Sequence, residues 1–149
     1  MKLSTKGRYG LRAMLELAQS ADQGPVTTKS IAQRQNISER YLEQLLIPLK
    51  TAGLVKSIRG SQGGYILGKS PDQIKVGDII RILEGPIAPV ECVNEVNPED
   101  CNRADYCVTR VIWSQVRDAI AGVLDSYSLA DLTEEGGKIP LKAIGEIPD

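Results

Sequence analysis

The chain has 149 residues, enough for one compact core with or without an extension, and its net charge of −1 points to no partner. It begins MKLSTKGRYGLRAML, with basic and polar residues threaded throughout, and no run approaches the roughly 18 consecutive apolar residues of a membrane span. A secretory leader and a membrane location are therefore not expected, and the expected location is cytoplasmic. There is no histidine to activate a nucleophile and no spaced pair of carboxylates to replace it, so the chain is not expected to be an enzyme.

Charge is divided along the chain. Residues 1–70 carry 11 Lys and Arg against 4 Asp and Glu, a balance of +7, whereas residues 71–149 carry 7 against 15, a balance of −8. Such polarity is what remains when one end meets a polyanion and the other does not. Solvated faces that happen to segregate give the same pattern, so the elements must decide.

The segment KGRYGLRAMLELAQS places Leu11, Met14, Leu15 and Ala18 on one helical face. Gln23, Gly24 and Pro25 break it, and Thr28 is positioned to cap a short second helix, KSIAQRQ, that stops at Asn36. Ser38 is placed to cap a third, ERYLEQLLIPLKTA, in which Leu42, Leu45, Leu46 and Leu49 repeat the spacing until Gly53. A longer helix followed by two short ones across a tight polar turn predicts helix-turn-helix. Pro48 inside the third helix removes a hydrogen bond to the Gln44 carbonyl, at about 3 kcal/mol in a helix interior, and predicts a distorted last turn.

LVKSI and YIL flank GSQGG, the pattern of a hairpin with a glycine-rich tip. The expected fold is mainly α with a small β-hairpin: a winged helix-turn-helix domain over 1–70, coincident with the positive excess, plus a long dimerisation helix. Opposite the leucines, the third helix offers Arg40, Glu43 and Gln44, with Ser38 and Tyr41 near its start. These residue types suit a major groove: Arg pairs with guanine acceptors, Gln with adenine, and a carboxylate accepts from cytosine N4. Arg59, just before Gly60, could enter a minor groove, with Gly60, Gly63 and Gly64 allowing close approach of the backbone. An ordinary solvated helix face and an ordinary hairpin tip would contain the same residues; the charge division favours double-stranded DNA.

After Pro71 the chain turns acidic. Residues 71–132 are expected to hold a linker helix, VGDIIRILEG, then a loop with all three cysteines, then the long helix VTRVIWSQVRDAIAGVLDSYSL. Apolar or small residues at 108, 112, 116, 119 and 123 of that helix form a seam suited to a second copy, which predicts a homodimer. Residues 133–149 are expected to be a flexible tail. Cys92, Cys101 and Cys107 are too few for a framework of paired disulfides, which leaves incidental thiols, a metal site or a redox switch. Lys and Arg are sparse around them, so no lowered thiol pKa is expected.

MKLSTKGRYGLRAML, ISERYLEQLLIPLKTAGLVKSIRG, GGYILGK and VGDIIRILEG together resemble the bacterial dimeric winged-helix regulators that include IscR, NsrR and CymR. The resemblance covers about residues 1–132 and is most specific from YLEQL through GGY. It implies that Tyr41, Glu43, Gln44 and Arg59 touch an operator and that Cys92, Cys101 and Cys107 hold an iron–sulfur cluster, 2Fe-2S in preference to 4Fe-4S. It also implies a repressor of cluster-biogenesis genes. Thiolates are the usual ligands of such clusters, and the loop lacks the short CxxC spacing of structural zinc. The IscR type completes its cluster with a histidine three residues after the last cysteine; here that residue is Arg110, which cannot ligate. Glu91, Glu95, Glu99, Asp100 and Asp105 are the local oxygen donors. The first cysteine spacer is nearer the NsrR type, and GDIIRILEGPIAPVE looks more like CymR, whose kind has no cluster and regulates cysteine metabolism through a protein partner or thiol redox. An electron carrier would not need the basic half.

Overall fold

Ser4 opens α1 (Thr5–Gln19) by accepting the Lys6 N–H on its hydroxyl at 3.2 Å. This is a computed structural model of the chain, and it describes residues 2–138. α2 (Thr28–Gln35) begins one residue earlier than the sequence suggests. Thr27, extended at φ −72 and ψ 149, is the cap and takes the Ser30 N–H at 3.1 Å, while Thr28 is already helical. Asn36 ends α2 in the left-handed region at φ 55. α3 (Glu39–Thr51) starts on Ser38 as expected, with its hydroxyl 3.1 Å from the Tyr41 N–H. It runs through Pro48 for three more residues to Thr51, held there by the buried Leu45, Leu46 and Leu49.

β1 (Val55–Ile58) and β2 (Gly64–Leu67) pair antiparallel, with Val55 opposite Leu67 and Ile58 opposite Gly64. Val26, just before α2, adds a bridge to the hairpin: it exchanges hydrogen bonds with Tyr65 at 2.9 and 2.8 Å. Gly64 permits that bridge, because a Cβ there would stand 2.5 Å from the Val26 carbonyl oxygen. The hairpin is thereby tied to the helix-turn-helix.

α4 (Val76–Glu84) lies against α1 at the two glycines Gly7 and Gly10, where side chains would collide with Glu84 and Leu83. Glu84 also accepts the Ser4 and Gly7 N–H groups at 3.0 Å each, placing a carboxylate on the positive end of α1. The core joins Met14 and Leu17 of α1, Ile31 of α2, Leu42, Leu46 and Leu49 of α3, Val55 of β1, Ile79 of α4 and Leu129.

Two helices follow. α5 (Val108–Ser126) packs on α4 and on the short 3-10 turn Glu91–Val93, yet none of its 19 residues is fully buried. α6 (Leu129–Lys138) returns to α1, its start stitched by Leu129 N–H to Ile74 O at 2.9 Å and by Val76 N–H to Tyr127 O at 2.9 Å. The sequence suggested a loose tail from 133; the helix continues to Lys138 because buried Leu129 anchors it, and the rest of that tail lies outside the described residues. No helix among the described residues is long and apolar enough to cross a membrane. The architecture of the described residues is mainly helical with one two-stranded hairpin.

Candidate nucleic-acid interface

Burial of the leucine stripe of α3 turns Arg40, Glu43 and Gln44 outward together. Their side chains make no hydrogen bond or ion pair among the described residues, so all three are available to a ligand. Ser38 differs. Its oxygen accepts the Tyr41 N–H, which leaves its O–H free to donate to a phosphate.

Tyr41 has an internal role. Its hydroxyl donates to Thr5 Oγ1 at 3.0 Å, and its ring meets Tyr9 edge-on, with centroids 6.3 Å apart at 85°. The Arg12 guanidinium lies 5.1 Å from the centre of the Tyr9 ring. Thr5, Tyr9 and Arg12 thus set the start of α1 against the start of α3. The sequence reading missed them, although they fall at i, i+4 and i+7 on one face of α1, off the apolar stripe.

On the hairpin, Arg59 and Gly60 are exposed directly after β1, and Gly60 turns the chain at φ 114. Gly63 is required by the chain itself, since a Cβ would collide with the Ile58 carbonyl, so the tip glycines are explained without DNA. Lys50 of α3 donates to Ser57 Oγ of β1 at 2.8 Å, fixing hairpin to helix. Lys6, Arg8, Arg12, Arg40, Lys56 and Arg59 are all exposed. Of the expected reading residues, Arg40, Glu43, Gln44, Arg59 and Gly60 are therefore exposed on α3 and the hairpin, while Tyr41 is half-buried and tied to α1.

The cysteines occupy different settings. Cys92 is half-buried in the Glu91–Val93 turn, Cys101 is exposed, and Cys107 is the residue before α5; all three are free thiols. Among the described residues, no three Cys, Asp or Glu side chains gather so as to hold a metal ion. Cys107 Sγ lies 3.2 Å from Thr109 Oγ1. That contact, the Arg110 and Thr109 N–H groups of the α5 start and the nearby Arg103 charge hold its thiol pKa below the ordinary value, contrary to the sequence expectation. The cause is the helix start, which a count of basic neighbours does not register. Cys107 opens onto a shallow depression of about 310 Å³ that Tyr106, Val108, Arg110, Val111 and Ser114 also line.

Three arginines hold the first part of the loop. Arg110, where the IscR type has histidine, points both Nε and Nη2 at the Cys92 carbonyl at 3.4 Å, and Arg117 donates to the Val93 carbonyl at 3.2 Å. Arg81 of α4 grips Glu95 through Nε at 3.0 Å and Nη2 at 2.8 Å, and Asp125 of α5 through Nη1 at 2.6 Å and Nη2 at 2.9 Å. Glu95 also accepts the Ile87 N–H at 2.9 Å, so both oxygens of an expected oxygen donor already accept hydrogen bonds. Hydrogen bonding to Arg81 holds the Glu95 and Asp125 carboxyls below their ordinary pKa, and hydrogen bonding to Glu95 and then to Asp125 raises that of Arg81. Arg81 was not singled out in the sequence, because its partners lie 14 and 44 residues away.

Residues 3–135 match the Rrf2 family model, described as an iron-dependent transcriptional regulator. The HTH-type transcriptional regulator CymR of Bacillus subtilis (strain 168) is 56% identical over 132 residues, 89% of each chain. The solved structure of that protein, the global cysteine regulator of B. subtilis, superposes with a TM-score of 0.77 over 91% of this chain and 98% of its own. The structure of T. potens IscR, 48% identical, superposes with a TM-score of 0.76 over 94% of this chain and 93% of its own. The chain belongs to the Rrf2 family of transcriptional regulators.

Proposed function

We propose that the chain is a homodimeric DNA-binding regulator of cysteine and sulfur metabolism, responding through a protein partner or through its free thiols. The observation that carries this reading is the 56% identity to CymR of B. subtilis over 89% of both chains, since the solved structure of that relative is the global cysteine regulator. Duplex DNA is the proposed ligand of Ser38, Arg40, Glu43, Gln44, Arg59 and Gly60, with Tyr41 holding α3. The dimer is supported by the surface of α5: Val108 is 79%, Ile112 55% and Val123 60% exposed, and Ala119 is exposed between them. A twofold pair through that face would place two α3 helices on successive turns of DNA.

A second reading, an iron–sulfur sensor, is favoured by the 48% identity to T. potens IscR and by three cysteines in one stretch. The residues as arranged do not fit a cluster. They gather no ligand set, Arg110 stands at the histidine position, and Glu95 is held by Arg81.

Anaerobic purification and reconstitution with iron and sulfide, followed by footprinting on the chain's own upstream region, separates the two. Colourless protein that protects a defined DNA segment supports the cysteine-regulator reading. Visible absorption that vanishes when Cys92, Cys101 and Cys107 are replaced by alanine overturns it in favour of the sensor.

A further inference from the structure

The outward stripe of α3 is polar from Arg40 to Gln44 and then changes character. Ile47 is 63% exposed, although Leu45, Leu46 and Leu49 around it are buried. Its side chain supports nothing in the core, and a β-branched residue gives no gain in helix propensity. Its backbone carbonyl accepts the Thr51 hydroxyl at 3.1 Å, a contact any residue type would provide.

Single exposed apolar side chains are common on protein surfaces, so position must decide what this one does. Ile47 follows Glu43 by four residues, Gln44 by three and Arg40 by seven, which places all four on one side of α3. Arg40 to Ile47 spans about 10.5 Å along the axis, roughly three base-pair steps. One turn further on, Lys50 is pinned to Ser57 of the hairpin, so this end of the stripe has a fixed place relative to Arg59. The apolar group that a major-groove edge displays is the C5 methyl of thymine.

We propose that Ile47 is a specificity-determining residue that packs on a thymine methyl in each half-site. This rests on the DNA-binding reading above. Arg40, Glu43 and Gln44 sort donors from acceptors, and Ile47 adds the one distinction they do not make, methyl against hydrogen at C5.

The test uses the full chain and duplexes that it selects from a library with about 30 randomised base pairs, room for two half-sites one helical turn apart. Each thymine of the selected duplex is replaced in turn by deoxyuridine, which differs only in lacking the methyl. The expected result is one thymine per half-site at which the replacement weakens wild-type binding about fourfold, the value of one buried methyl-sized group. Ile47→Ala, which removes an exposed side chain and should fold normally, is expected to bind both duplexes equally. Wild-type binding insensitive to every replacement overturns the proposal, as does an Ile47→Ala variant that retains the wild-type losses; either points to a protein surface as the occupant. A chain that selects no sequence at all overturns the DNA-binding reading itself, which is a distinguishable outcome.

Discussion

α3 and α5 are both amphipathic helices with an apolar stripe at helical spacing, yet α3 buries Leu42, Leu45, Leu46 and Leu49 completely whereas α5 buries none of its residues. The difference lies in what surrounds them. α3 is enclosed by α1, α2, α4 and β1, while α5 packs chiefly on α4 and the Glu91–Val93 turn among the described residues. The same periodicity thus marks a core in one case and an exposed face in the other. Only the supply of neighbouring elements within the chain separates the two.

The contrast can be broken most severely on the α3 side. Leu46→Ala should destabilise the fold by about 2–5 kcal/mol in chemical denaturation, because the cavity it leaves lies within the core cluster and cannot collapse. Val123→Ala on α5 should leave the stability of an isolated subunit nearly unchanged. Equal losses from the two substitutions at subunit concentrations below any dimer would remove the distinction.

The α5 face itself is the next test. Ile112→Asp should give a folded monomer in sedimentation while the parent chain sediments as a dimer. Its DNA affinity should fall on the order of a hundredfold, since one subunit neutralises half the phosphates. A parent chain that is monomeric at micromolar concentration would show that α5 has some other occupant.

The joint between the two regions is Arg81, and Arg81→Met should cost about 1–3 kcal/mol by leaving Glu95 and Asp125 without their partner in a partly solvated site. The pH dependence follows in sign. Both carboxyls titrate below their ordinary values in the folded chain, so the stabilisation they share with Arg81 is fully present above their unfolded pKa, about 4. It is lost as pH falls through the lower, folded values. Parent and Arg81→Met stabilities should therefore converge on acidification and separate above about pH 4, and a gap independent of pH would show that packing of Arg81 matters more than its charge.

A smaller effect is expected at the hairpin. Arg59→Ala should weaken DNA binding and reduce the dependence of log K on log salt by about one per subunit, because one fewer counterion is released. Glu43→Ala should instead relax discrimination at one base position, worth about 1–3 kcal/mol, and an unchanged salt slope would distinguish a selector from a phosphate contact.

The winged-helix elements were legible because each has a local signature. Ser38 and the leucine spacing specify α3, Asn36 and Gly53 stop α2 and α3, and GSQGG turns the hairpin. The cap of α2 was misplaced by one residue because Thr27 and Thr28 are equally good capping types and only the backbone angles select between them. The outward placement of Arg40, Glu43 and Gln44 was legible too, as the polar complement of a buried stripe. Tyr41 was legible as a position, but its contacts were not, because its partners Thr5 and Tyr9 lie on another helix.

By itself, the sequence determined the order of helices and hairpin, the basic half that contains them, and the segment that carries the cysteines, all of which follow from spacing and composition within a few turns of chain. Tertiary structure alone decided how those cysteines are presented. Arg81 reaches Glu95 and Asp125 across 14 and 44 residues, Arg110 turns to the Cys92 carbonyl, and the start of α5 lowers the Cys107 thiol. Pairings between distant side chains depend on how elements pack, and local periodicity has no information about packing partners.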